Sequence, residues 1–119
     1  MFKDNLSIGN LGEDLARKYL EDRGYEILEQ NYRNKYAEID IVAKEKDTVV
    51  FVEVKTRIGE QLGTPEDALN KNKMRRLVRK ADMYAMRQKF DIYRIDAICI
   101  VLDETKQIQR INHYQNITG

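Results

Sequence analysis

Three charged residues, Asp40, Glu53 and Lys55, stand where strand sequence has no use for them. They fall in AEIDIVAKEKDTVVFVEVKTR (residues 37–57), where two runs rich in Val, Ile and Phe flank a polar break at 44–47. That pattern reads as a β-hairpin. With an even-numbered turn, either Lys46–Asp47 or Glu45–Thr48, facing positions sum to 93 and Asp40 comes opposite Glu53. Side chains alternate along a strand, so Lys55 joins Glu53 on that face. The other face is Ile39, Ile41 and Ala43 against Val50, Val52 and Val54, wholly apolar and fit to pack under a helix. Val42, Val49 and Phe51 lie on the charged side near the turn. An odd turn would split the carboxylates and break the apolar face.

Two carboxylates abreast destabilise a sheet unless something cationic lies between them. A hard divalent ion, Mg²⁺ or Mn²⁺, accepts one or two protein carboxylates and keeps other sites for waters and phosphate oxygens. The expected ligands are Asp40 and Glu53, with the backbone carbonyl of Val54 as a further donor. Lys55 would then orient a water or neutralise charge building on phosphorus. In the plain alternative Lys55 satisfies both acids in a surface cluster that contributes little. The Asp in the partner strand and the intact apolar face favour a site.

The run Ile39-Asp40, followed by Glu53-Val54-Lys55, resembles the PD-(D/E)xK nuclease superfamily, which uses a restriction-endonuclease-like fold. More narrowly, GNLGEDLARKYL, NYRNKYAEIDIVA, VFVEVKTR and GTPEDAL, in this order over essentially the whole chain, resemble the YraN-like family of small bacterial proteins. That family is described as endonuclease-related, with similarity to archaeal Holliday junction resolvases. Ile39 stands where the superfamily has proline, and Ala37 where relatives often have Gly; neither change removes a ligand. The resemblance implies that Glu13, matching a glutamate of the N-terminal helix, points toward the metal and completes its shell. It implies that Lys73 matches a basic position able to contact nucleic acid. It also implies branched or otherwise structured DNA as substrate, with a homodimer addressing two strands. Asn10 and Glu13 have capping-box spacing as well, a second role for Glu13.

Composition bounds this reading. A chain of 119 residues, 42% hydrophobic and 34% charged, is expected to form a single nuclease-like domain over 1–119. A net charge of +1 excludes a polycation, so any grip on nucleic acid must come from local clusters. The sequence has no long apolar run and no signal-peptide pattern. Its single Cys99 suits a reducing compartment, so a cytoplasmic protein without membrane contact is expected.

The elements that must position the three residues follow from periodicity. Ile8, Leu11, Leu15, Ala16, Tyr19 and Leu20 predict a helix over about 7–23, stopped by Gly24. Residues 25–32 read as a first strand, leading through Arg33, Lys35 and Tyr36 into the hairpin. These three, with Arg57 on the far side, are expected to meet phosphates or stack on a base. Residues 57–63 read as a loop, then Thr64 caps a helix start with Pro65 in its first position. A long helix over 71–89 buries Met74, Leu77, Val78, Ala81, Tyr84 and Ala85. Its other side carries Arg75, Arg76, Arg79, Lys80 and Arg87, interrupted only by Asp82, and is the place to lay a phosphate backbone. Residues 94–102 are apolar enough for a strand covered on both faces, with Asp96 paired to Arg94 or to an arginine of the long helix. A last strand, 107–113, belongs at an edge, and His113 at its end reads as a surface residue without a role.

The resulting order, α-β-β-β-α-α-β-β, gives an α/β restriction-endonuclease-like core: a central mixed five-stranded sheet flanked by helices. The leading expectation is an Mg²⁺- or Mn²⁺-dependent endonuclease acting on DNA rather than RNA. The alternative is a catalytically silent module of the same fold that binds nucleic acid or a DNA-processing partner.

Overall fold

The hairpin forms in the register that the apolar face demands. In a computed structural model, which describes residues 2–35 and 38–118, β2 (Glu38–Glu45) and β3 (Thr48–Ile58) pair from Glu45↔Thr48 to Ile41↔Val52 around a Lys46–Asp47 turn. Every one of these pairs sums to 93. The remaining elements are α1 (Phe2–Asp22), β1 (Glu26–Arg33), a short 3₁₀ helix (Pro65–Ala68), α2 (Lys71–Gln88), β4 (Tyr93–Leu102) and β5 (Ile108–Tyr114). The sheet runs β1-β2-β3-β4-β5. Among the described residues only β3 and β4 pair in parallel, and the crossover that a parallel pair requires is the stretch carrying the 3₁₀ helix and α2. This is the mixed α/β, restriction-endonuclease-like core expected from the sequence.

Each face of the sheet has its own core. Ala16 and Leu20 of α1 bury Ile41, Ala43, Val50, Val52, Val54, Ile98 and Ile100. On the opposite face, Leu77, Ala81, Tyr84 and Ala85 of α2 bury Val42, Val49, Phe51 and Ile95. Phe51 makes edge contacts with Tyr84 and Tyr93 at 5.3 and 5.4 Å between ring centres. β4, buried from Ile95 to Leu102, is covered on both sides as its composition predicted. No helix among the described residues is long and apolar enough to cross a membrane.

The ladder gives way at Asp40. Asp40 does not face Glu53 as a ladder pair; its carboxylate instead accepts the Val54 N–H at 2.9 Å. On the β1 side, Gln30↔Ile41 and Tyr32↔Ile39 bracket an unpaired level where Asn31 takes φ +57°. Asn tolerates that left-handed conformation because its short polar side chain bonds locally. One consequence corrects the expected face: Ile39 packs with Tyr32 and Leu77 on the α2 side, not beside Ile41 under α1. A side-chain carboxylate that takes over a backbone acceptor's place lets the strand turn over at that point.

Other boundaries also move. α1 starts at Phe2 rather than near Ser7, so Asn10 is helix interior and the Asn10–Glu13 capping box does not exist. Gly12 explains how α1 seats: a Cβ there would lie 1.8 Å from Thr56 Oγ1 of β3. Only glycine permits that approach, and it carries Glu13 toward the sheet. Gly24, at φ +88°, supplies the expected stop. β3 continues through Ile58, which puts Arg57 in the strand and not in a loop. At the 3₁₀ helix the Asp67 carboxylate accepts the Thr64 N–H at 2.9 Å, and Asn70 caps α2 by accepting the Lys73 N–H at 2.9 Å.

Candidate active site

The middle of β3 and the break in β2 bring Asp40 and Glu53 into side-chain contact. Glu53 is only 5% exposed. Its Oε2 lies 3.7 Å from Lys55 Nζ and 2.7 Å from Lys73 Nζ, the latter reaching in from the first turn of α2. Yet among the described residues no donor is directed at that oxygen as a hydrogen bond, so Lys73 sits at ion-pair distance but off the acceptor's line. Ile39, Phe51, Leu77, Lys80 and Ala81 wall a small recess over the two carboxyls.

Burial sets the electrostatics. Desolvation comes first for Asp40, then the charge of Glu53 and the contact between the two carboxyls; the Val54 N–H opposes them without prevailing. The Asp40 carboxyl is pushed up to about 8. Glu53 moves the other way: burial alone would raise it, but the Asp40 hydrogen bond together with Lys73 and Lys55 holds it below the usual range. The two directions describe one shared proton. Asp40 keeps it because a single amide faces it, whereas Glu53 has two ammonium groups. Glu13 feels the pair at longer range; burial raises its carboxyl, Glu38 adds to the rise, and Arg33 offsets part of it.

The break in β2 thus sets half-buried Asp40 against buried Glu53, with Lys55 beside them on β3. The model of the uncharacterised protein family UPF0102 matches residues 12–100. The chain belongs to that family. It is 41% identical to a UPF0102 protein of Caldicellulosiruptor saccharolyticus over 92% of this chain and 94% of that one. A UPF0102 protein of Syntrophus aciditrophicus is 44% identical over 82% and 79%, and one of Alkaliphilus oremlandii is 42% identical over 94% and 97%. The matched span holds Glu13, Asp40, Glu53, Lys55 and Lys73 together.

A divalent cation fits the donor set in kind. Among the described residues no three acidic, His or Cys side chains come together as a closed metal cage. Two touching carboxylates, one of which leaves its Oε2 without a directed hydrogen bond among the described residues, are instead a set that a hard ion such as Mg²⁺ can use, since it retains most of its waters. Glu13 is thus near the pair electrostatically without forming a three-carboxylate cluster with it. Val54 contributes its N–H to Asp40.

The expected nucleic-acid contacts of this UPF0102 protein separate into groups. Arg75, Arg76 and Arg79 are exposed on α2, and Lys80 is half-buried at the recess beside Asp40 and Glu53. Lys73 is not on that outer face; it is the cation on Glu53. Arg33 lies 3.4 Å from Glu38 at the end of β1, and Lys35 follows it. Tyr36 falls outside the described residues, as does Ala37. Arg57 bonds Thr64 O at 3.1 Å, and the neighbouring loop is tied to β5 by Arg110, at 2.6 Å from Glu60 and 2.7 and 2.8 Å from the Glu66 oxygens.

Sequence reasoning missed two partners. Lys73 was legible as basic, but its target lies 20 positions away on another element, a distance that no local period reports. His113 is no surface residue: its side chain is 6% exposed and its Nε2 lies 2.8 Å from Asp96 Oδ2. A signal existed, because Ile111 packs into the α1-side core and strand alternation puts His113 on the same face. Asp96 does pair with Arg94, as expected, and with no arginine of α2 among the described contacts.

Proposed function

We propose that this UPF0102 protein is a metal-dependent phosphodiesterase acting on DNA, with its chemistry at Asp40, Glu53 and Lys55. The observation that carries the reading is the contact of half-buried Asp40 with buried Glu53, whose Oε2 has Lys73 at 2.7 Å and Lys55 at 3.7 Å. Two acids pressed together out of water, with their titrations driven in opposite directions, favour a functional site over a plain ion pair. Asp40 and Glu53 would hold Mg²⁺ or Mn²⁺, with the Val54 carbonyl and Glu13 as further candidates. The ion would supply Lewis-acid activation of water and of a phosphoryl oxygen. Lys55 would neutralise the charge that builds on the phosphorus oxygens, aided by the low dielectric around Glu53. Arg75, Arg76 and Arg79 would lie along the phosphate backbone and fix its approach. As a homodimer the protein would bring two such sites to two strands of a branched substrate.

One observation favours a second reading, the silent binding module: Lys73 already neutralises Glu53 at 2.7 Å. The discriminating experiment is cleavage of linear, flapped and four-way DNA with Mg²⁺ or Mn²⁺, run beside Asp40→Asn and Lys55→Ala. Cleavage lost in both variants, with DNA binding kept, supports the enzyme. Binding without any cleavage by wild type, with either ion, favours the module instead.

A further inference from the structure

Lys73 stands in an odd place for a nucleic-acid contact. Its Nζ is 2.7 Å from Glu53 Oε2, and its side chain is only 18% exposed. Its backbone N–H is fixed by the Asn70 cap at 2.9 Å, so the side chain leaves α2 from a defined point at the first turn. Lys55 approaches the same Glu53 oxygen from 3.7 Å. Two ammonium groups therefore serve one buried carboxylate oxygen, and the nearer one is poorly aimed. An ammonium held this close to a buried carboxylate oxygen must be displaced by, or share that oxygen with, any cation that binds there.

We propose that Lys73 is the site's own counter-ion: it competes with a divalent cation for Glu53 and makes cation binding depend on an arriving phosphodiester. The inference rests on the metal-dependent reading above and adds a control to it. Charge counting gives the reason. With both carboxylates ionised, Asp40, Glu53, Lys55 and Lys73 sum to zero, so a divalent ion brings the site to +2. Such an excess in a largely buried site is unfavourable unless an anion enters with it. A phosphodiester supplies that charge and offers Lys73 a new partner once Glu53 is taken. Cation and phosphate then bind with positive coupling, which by linkage is reciprocal.

The test follows free Mn²⁺ by electron paramagnetic resonance while the folded chain is titrated, without DNA and then with a short duplex. Lys73→Gln should bind Mn²⁺ on the order of ten-fold more tightly than wild type in the absence of DNA, the expected scale for removing one nearby positive charge. Lys73→Arg, which keeps the charge, should bind no more tightly than wild type. With the Mn²⁺ taken up by the duplex alone subtracted, the duplex should tighten Mn²⁺ binding clearly more for wild type than for Lys73→Gln. Loss of a merely structural contact would weaken binding or leave it alone. If Asp40→Asn abolishes Mn²⁺ binding but Lys73→Gln fails to tighten it, the counter-ion proposal falls and the metal site stands. If Mn²⁺ binds neither protein, or binds Asp40→Asn as well as wild type, both fall.

Discussion

Two buried acidic centres lie on the central strands, and they are built in opposite ways. Asp96 on β4 is fully buried, yet every lone pair is served: Oδ1 accepts from Arg94 Nε at 3.0 Å and Asn116 N at 2.9 Å. Its Oδ2 accepts from Arg94 Nη2 at 3.2 Å and shares a 2.8 Å hydrogen bond with His113 Nε2. Arg94 is in turn held by Glu45 at 2.9 Å and the Tyr25 hydroxyl at 2.7 Å. Burial alone would raise the Asp96 carboxyl, but His113, Arg94 and the Asn116 N–H together hold it below the usual range. At Asp40 and Glu53 two acids touch each other, one is driven to keep its proton, and the other rests on ammonium groups at 2.7 and 3.7 Å. The first centre is closed by partners of opposite charge and directed hydrogen bonds; the second sets two acids against each other, and on it the proposed function rests.

The sharpest way to break this contrast is to delete each acid in turn. Asp96→Ala should cost about 3–5 kcal/mol, the usual penalty for leaving a buried partner charge alone. Urea denaturation measures it, and a loss below about 1 kcal/mol would mean that the network is not holding β4, β5 and α1 together. Gly12→Ala strikes both centres, since α1 carries Glu13 near one and Tyr19, 5.6 Å from the His113 ring, near the other. A Cβ forced against Thr56 should cost about 1–3 kcal/mol. Cleavage assayed beside the same urea curves should fall with stability if the seat of α1 matters to the proposed site.

Stability against pH separates the two acids without substitution. The folded carboxyl of Asp96 lies below its unfolded value of 3.8, so its contribution is present above that pH and lost as pH falls through the folded value. Asp40 has the opposite sign: folded near 8 and unfolded near 3.8, it binds more protons when folded, so stability declines as pH rises between those values. Thermal melts from pH 3 to 9 should therefore fall at both ends, and Asp40→Asn should flatten the upper limb alone. A wild-type profile flat from about pH 4 to 8 would contradict the shared proton. The smallest effect is the most telling. Asp40→Asn should leave stability near neutral pH unchanged or raise it by up to about 1 kcal/mol, because a neutral amide replaces a carboxyl that already holds its proton, while abolishing the proposed cleavage.

Much of this was legible before any coordinates. The apolar set Ile41, Ala43, Val50 and Val52 has one workable register, and alternation then ties Lys55 to the face of Glu53. The helical stripe of α2, the edge position of β5 and the Arg94–Asp96 pair follow from local spacing, charge and composition. Sequence patterns report only neighbours along one element, and each surprise depended on two. The twist of β2 at Asp40 needs the Val54 amide and the left-handed Asn31; the seat of Gly12 needs Thr56; the burial of His113 needs Asp96. Lys73 could be read as basic from the chain alone, but its hold on Glu53 needed α2 and β3 to meet. The sequence determined which residues had chemistry to offer. The tertiary structure decided which carboxylates are satisfied, because desolvation and cross-element hydrogen bonds exist only once helices and sheet have closed over them.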